Sequence, residues 1–430
     1  MRSLIPAIMI RSRAITSLLG LLALGGALAG CRNAPAESLE DLEARAEVAD
    51  RVVATLDRQH HYFRSPNGRQ RFADQAQEIA RTEEDPAGFY RALAHALATL
   101  NEGHTTLVSS PEVPFLETVP PAALVEAEGE IVVAGAAPGL ESGGLAPGDV
   151  ILEVDGFPAK QVLRERIEKT PGSTAHGRRA RAVANLLAGP TNRPARVKIR
   201  RSDGTIREAY PLRFLLDDGG MDRFRFGFLS ERVSAVRLDL ATGYLSLPEF
   251  QKEHLERFAK GLETLQALPR LVLDLRGNPG GSIRTLQEIA GHFVEEGAPL
   301  AVLRRGESTT AYAATSSEPF YRGDLRILCD ERTGSAAELL AAALRDLGRA
   351  KIYGRRTAGS TRSRQTMQLP GGVLFHYGGY AVFDRADGRP LEGIGLEPDK
   401  VVPIDRNAVS AGGYGDPMRD PAILDAAGLN

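Results

Sequence analysis

Apolar residues recur at helical spacing between Ser38 and about Leu100, at Leu42, Ala46, Val48, Val52, Val53 and Leu56, then at Phe89, Leu93, Leu97 and Leu100. The spacing predicts helices ended by Asn101-Glu102-Gly103, with Gly103 in the left-handed position that turns the chain just before His104. From about Thr118 to Leu212 the period changes. Short stretches, AALVEA, EIVVAGA, GDVILEVDG and ARVKIRRSDGTIREAYPL, predict strands joined by tight turns at Pro147-Gly148 and Asp155-Gly156, with helices over 162–170 and 178–187. Beyond about Phe226, strands alternate with helices: AVRLDLATGYLSLPEF, a helix over 254–265, the apolar strand LVLDL, a helix over 283–294, the strand LRILCD and a helix over 336–347. Such alternation predicts an α/β core around a largely buried sheet, closed by a strand pair in VLFHYGGYAVFD.

The first thirty residues follow another pattern. Arg11 and Arg13 precede an apolar run from Ile15 to Leu28 that ends in Leu28-Ala29-Gly30-Cys31. Fourteen residues are too few for a helix across a hydrocarbon core, which needs about 20, so the run reads as a cleaved export signal. Its end resembles the lipobox of bacterial lipoproteins, which implies a lipid on the Cys31 thiol, a membrane anchor through it, and a place in the bacterial envelope facing periplasm or exterior. Arg32, where an aspartate would resemble an inner-membrane retention signal, favours the outer membrane if the cell has two. With Cys31 so used, Cys329 is left as a buried small hydrophobe with no disulfide partner. A net charge of -2 carries no footprint for nucleic acid. No His/Cys/Asp/Glu spacing marks a metal site, and no cofactor is expected.

Ser335 lies where the strand LRILCD gives way to a helix, in CDERTGSAAELLAAAL, a place that presents a hydroxyl at a sharp turn near a positive helix terminus. Ser335-Ala336-Ala337-Glu338 is equally a capping box, so Ser335 alone decides nothing. Upstream, LVLDLRGNPGGS places Gly280 and Gly281 directly after a buried strand, where glycines leave backbone N–H groups free to face an oxyanion. Asp274 and Arg276 read as a structural ion pair beneath that turn.

Together DLRGNPGG, TGSAAE, GRRTAG and EGIGLEPD, with NEGHT upstream, resemble the C-terminal-processing and tricorn-core serine peptidases. GGLAPGDVILEVDG resembles PDZ domains, although no Gly-Leu-Gly-Phe carboxylate-binding loop is present. The resemblance implies a spiral α/β peptidase core with a helical N-terminal segment and an inserted PDZ-like β domain. The expected division is a signal peptide (1–30), a tether and helical segment (31–110), the PDZ-like domain (111–215), the peptidase core (216–410) and a C-terminal tail (411–430).

Two catalytic designs occur in that family. The Ser/Lys design places lysine directly after a Thr-x-Gly stretch, but here Thr357-Ala358-Gly359 is followed by Ser360, and the lysines after Ser335 are Lys351 and Lys400. The tricorn-like design implies His104 as general base and Glu392 as its orienting acid, with Ser335 as nucleophile and an oxyanion hole from the N–H of Ala336 and one from Gly280 or Gly281. Glu397 is an alternative carboxylate, His376 a second candidate base, and a Ser335/Ser360 arrangement without His104 a third design, while His60 and His61 read as surface or packing residues. The function implied is a serine endopeptidase acting on envelope proteins or peptides. The rival from another class is a non-catalytic peptide- or hydrophobic-ligand-binding protein on the same scaffold.

Overall fold

Helix starts are written locally in this chain. Asp41, Ser65 and Asp85 each stand extended before a helix and accept a backbone N–H from its first turn, and Pro66 and Pro86 occupy the first helical position behind two of them. The computed structural model describes residues 39, 41–63, 65–115, 118–136, 142–191, 193–213 and 233–429. The chain divides into two compact units, Met1–Asn33 and Ala34–Asn430, and every described residue lies in the second. The predicted export signal and Cys31 lie outside the described residues.

Helices α1 (Leu42–Asp57), α2 (Pro66–Thr82) and α3 (Pro86–Ala98) lead into strand β1 (Thr106–Val108). A second group follows: β2 (Ala122–Ala127), β3 (Glu130–Ala136), β4 (Val150–Val154), β5 (Phe157–Pro158), α4 (Ala159–Glu168), α5 (Ala175–Ala184), β6 (Val197–Arg200) and β7 (Ile206–Ala209). It forms its own antiparallel sheet in the order β2-β3-β4-β6-β7, with β5 on β4, and its own core around Val133, Leu163, Leu186 and Ile199. The predicted hairpin turn is there, with Asp155 at φ 52 and Gly156 at φ 90.

The alternating region forms β8 (Ser234–Arg237), β9 (Thr242–Ser246), α6 (Lys252–Leu265), β10 (Arg270–Asp274), α7 (Ile283–Ala290), β11 (Pro299–Arg305), β12 (Ser308–Ala313), β13 (Asp324–Cys329), α8 (Ala336–Asp346) and β14 (Ala350–Gly354). It continues through β15 (Arg362–Gln368), β16 (Leu374–Arg385), β17 (Lys400–Val401), α9 (Arg406–Ser410) and α10 (Pro421–Ala427). The central sheet runs β17-β14-β13-β10-β9-β8 and is parallel except for β8 against β9. Its middle strands read as unbroken apolar runs because both faces are covered: Leu271 and Leu273 meet the core with α6, α7 and α8, while Val272 and Leu328 meet α10. The fold is α/β. Cys329 ends β13 fully buried and unpaired, as its apolar setting predicted.

Three local expectations are corrected. The left-handed residue after α3 is Asn101, at φ 55, and not Gly103. Gly103 is needed for space instead, since a Cβ there would stand 2.2 Å from Ser360 Oγ. VLFHYGGYAVFD is not a strand pair: Gly378-Gly379 pass through one strand, β16, which pairs with β15, β1 and β11. A Cβ on Gly378 would meet the Glu102 carboxyl carbon at 2.6 Å, so this glycine permits a close approach and makes no turn. Leu42, expected in the core, is 52% exposed, and Leu39 is buried in that cluster.

Candidate active site

The nucleophile candidate sits on a strained turn. Ser335 is the N-cap of α8, yet it adopts φ 51, ψ -122 where the other helix caps quoted above are extended. Those angles belong to the first central residue of a type II′ turn, normally glycine, and the Ala337 N–H closes the turn on Gly334 C=O at 3.0 Å. Ser335 is half-buried at the end of a helix whose other residues from Ala336 to Leu344 are buried. Its N–H donates to Glu338 Oε2 at 3.0 Å, the glutamate half of the predicted capping box.

Glu338 ties this turn to another. It is fully buried and accepts the Thr357 hydroxyl at 2.6 Å and the Gly359 N–H at 2.8 Å on Oε1, and the Ser360 N–H at 2.8 Å on Oε2 beside that of Ser335. Burial pushes its carboxyl up to about 7 against the pull of those four donors. The amides of Ser335 and Ser360 thus share one oxygen. The predicted segment Leu391–Leu396 runs beside the same turn, with Leu396 N–H on the Thr357 hydroxyl at 2.7 Å and Gly393 N–H on Gly359 C=O at 2.8 Å.

The glycine turn after β10 faces Ser335. A Cβ on Gly280, at φ 100, would stand 2.6 Å from Ser335 Cβ and 2.8 Å from Ala336 N. The expectation for Gly280 as an oxyanion donor is corrected: its N–H is taken by Asn278 Oδ1 at 2.8 Å, because the Asn278 side chain folds back into the turn. What Gly280 contributes is the missing Cβ beside the Ala336 N–H, the first amide of α8. The neighbouring bridge to Phe250 uses Gly280 C=O and Ser282 N–H, at 2.8 Å each, and leaves the Gly281 N–H unclaimed. Gly280→Ala is therefore expected to cost about 1–3 kcal/mol of stability through overpacking, read as a lower urea midpoint; an unchanged midpoint would show that the Ser335 turn yields without cost.

His104 arrives from the opposite side. It follows α3 on the turn into β1, and β1 is held in register by Thr106 against His376 of β16. The preceding Gly103 abuts Ser360, donates its N–H to Ser173 Oγ at 3.0 Å, and accepts from Arg181 at 3.1 Å. Ser173 and Arg181 belong to the small antiparallel domain, which also sends Thr174 Oγ1 to Ala358 C=O at 2.9 Å and His176 Nε2 to within 2.7 Å of Thr357 C=O. Three distant parts of the chain so meet around Ser360. The structure makes no hydrogen bond between Ser335 and the His104 ring, and the closest acidic group to that ring is one the motif reasoning left out: Glu102 Oε1, 3.4 Å from Nδ1.

Glu392 lies in the same region without touching the ring. Its Oε2 accepts the N–H groups of Thr361 at 2.6 Å and Arg362 at 3.0 Å. Burial and the charge of Glu102 push its carboxyl up, while Ser173, the Thr361 N–H and His104 pull it back. Glu397 is exposed and paired with Arg356, which removes it from the site. His376 Nδ1 lies 2.8 Å from Thr366 Oγ1, and burial with the nearby Arg364 and His104 lowers its pKa to about 4. Lys351 is exposed on β14 and Lys400 pairs with Asp425 at 2.5 Å, so neither stands in for a lysine base. Among the described residues no group of histidine, cysteine and acidic side chains is arranged to hold a metal ion.

Residues 241–402 match peptidase family S41. The chain is 27% identical over 292 residues to a carboxyl-terminal-processing protease of Picosynechococcus sp., covering 66% of this chain and 63% of that protein. It is 33% identical over 138 residues to a probable CtpA-like serine protease of Staphylococcus aureus, covering 31% of this chain and 27% of that one. The chain thus aligns with less than two thirds of the length of either relative. Among solved structures, mature CPAF shares the fold at a TM-score of 0.69 and 18% identity, over 89% of this chain and 97% of that one. The photosystem II D1 C-terminal processing protease does so at 0.52 and 20% identity, over 88% and 98%. Residues 241–402, which hold Gly280, Ser335 and Glu392, therefore match peptidase family S41, and the chain is similar to carboxyl-terminal-processing proteases.

Proposed function

We propose that this chain is a serine-type peptidase of the carboxyl-terminal-processing kind, exported and lipid-anchored through Cys31, that cleaves protein or peptide substrates of the cell envelope. The observation that carries the reading is Ser335 in a glycine-like backbone conformation at the start of α8, with Gly280 clearing the space beside its Cβ and the Ala336 N–H. A chain holds a serine in such a strained turn where the hydroxyl has work to do.

In this reading Ser335 Oγ attacks the scissile carbonyl carbon as His104 takes its proton. The Ala336 N–H and the Gly281 N–H stabilise the oxyanion, the C–N bond breaks as the imidazolium returns the proton to the leaving amine, and water hydrolyses the ester. Glu392, the acid that the family motif implies, holds the Thr361 and Arg362 N–H groups nearby. The domain between β1 and β8 is PDZ-like in this reading, and its Ser173 and Arg181 reach the turn that carries His104.

Incubating the intact chain with a fluorophosphonate and mapping the adduct by peptide mass spectrometry tests the proposal. The expected result is a single adduct on Ser335 together with cleavage of casein. No adduct and no cleavage, with a hydrophobic peptide still bound, would replace the enzyme with a binding protein; an adduct on Ser360 would move the nucleophile.

A further inference from the structure

We infer that Glu102 is the positioning residue of the His104 imidazole, the carboxylate that selects its tautomer; this rests on the peptidase reading above and assigns to Glu102 the part the motif gives to Glu392. His104 Nδ1 is buried, makes no hydrogen bond, and lies 3.4 Å from Glu102 Oε1, within ion-pair distance but off the hydrogen-bonding line. A buried ring nitrogen is costly to leave unpaired, and a slight turn of the ring brings Nδ1–H onto that carboxylate. Nε2 then carries the lone pair, as a base toward Ser335 requires.

The carboxylate itself is pinned. Its two oxygens accept the His104 backbone N–H at 3.1 Å each, Oε2 accepts the Thr105 hydroxyl, and Tyr62 Oη stands 3.4 Å away while bonded to Thr105 Oγ1 at 2.5 Å. Tyr62 is anchored in turn by the Gly378 N–H at 2.7 Å. The bare Cα of Gly378 is what lets β16 pass this close to Glu102. Burial would favour the neutral acid, but the bonds from His104 and Thr105 and the charge of the imidazole outweigh it and hold Glu102 down at about 2. It is therefore ionised at any pH near neutrality, whereas burial and the charge of Glu102 push Glu392 up, and Glu392 spends Oε2 on two backbone amides. Of the two acids, the buried Glu102 is the one built to face an imidazole.

The neutral tautomer of His104 is read from ¹⁵N side-chain shifts of the intact chain carrying Ser335→Ala. The Nδ1–H form is expected there, a mixture or the Nε2–H form once Glu102→Gln is added, and the unaltered Nδ1–H form with Glu392→Gln added instead. In the otherwise native chain, Glu102→Gln is expected to lower kcat by about 10²- to 10⁴-fold with KM unchanged, as loss of the orienting acid does in serine peptidases, and Glu102→Asp to recover part of that loss. The Nε2–H tautomer in the chain with Glu102 intact, or a tautomer that moves with Glu392→Gln and not with Glu102→Gln, would overturn the assignment. The first of these needs no Glu102 variant to fold, and the tautomer needs no turnover, so this test fails separately from the fluorophosphonate experiment.

Discussion

Ser335→Ala is expected to lower peptide turnover by at least about 10³-fold and to leave the protein no less stable, while Ser335→Gly is expected to be as inactive and more stable than the parent by about 1 kcal/mol. The turnover loss follows from chemistry: without Oγ there is no acyl-enzyme, and water at the same place is neither positioned nor activated as a hydroxyl on α8 is. The stability gain follows from the backbone. At φ 51, ψ -122 a Cβ crowds the adjoining peptide groups, and a residue held so costs about 1–3 kcal/mol. Glycine removes that cost and returns part of it as unfolded-chain entropy, which is why the net gain is near the low end. Urea midpoints of the parent and both variants measure it. Ser335→Gly less stable than Ser335→Ala would show that the turn is unstrained, and the functional reading would lose the observation that carries it.

How much of this was visible in the sequence varies with the range of the interaction. Helix starts at Ser65-Pro66 and Asp85-Pro86, the strand-to-helix switch at Ser335 and the buried parallel strands are set by neighbours a few residues apart, and periodicity exposes them. The capping box around Ser335 is also local and is present, yet it foretells an extended N-cap. The actual angles depend on closure of Gly334 onto Ala337 against Gly280, a contact between two loops.

Glu102 and Glu338 were hidden for the same reason. Glu102 looks like a turn residue after α3 because Tyr62 lies 40 positions before it, and Gly378, which anchors Tyr62, lies 316 positions after that tyrosine. One local signal did exist. A Gly-Gly pair inside an otherwise strand-like run marks either a turn or a close approach, and in VLFHYGGYAVFD the pattern suggests the first where the second holds. Glu338 looked like half of a capping box, and its hold on Thr357 and Ser360 appears only once α8 and the following turn are packed. Glu392 holds the Thr361 and Arg362 amides next to the Ser360 turn, but sequence order alone does not say which of two carboxylates a ring nitrogen will face.

The largest stability effect is expected below the glycine turn. Arg276 and Asp274, read from the sequence as an ion pair, are 1% and 3% exposed, and the guanidinium also donates to Asp420 Oδ2 at 2.9 Å. Asp274 takes three further or parallel bonds from Arg276 Nε and Nη2 at 2.7–3.2 Å and one from Tyr244 Oη at 3.0 Å. Asp420 caps α10 through the Ala422 N–H and accepts the Gly415 N–H, so the guanidinium joins the strand end that leads into Gly280 to the C-terminal helix. Arg276→Met keeps most of the side-chain volume and strands two buried carboxylates, which is expected to cost about 3–5 kcal/mol. Removing the charges together, as Asp274→Asn, Arg276→Met and Asp420→Asn, is expected to cost less than the single change, because the penalty lies in the unpaired ions more than in the lost attraction. Equilibrium urea unfolding of the two variants decides it: a triple variant less stable than Arg276→Met would mean that the ion cluster contributes net stability of its own, and that the floor of the active site rests on attraction rather than on charge balance.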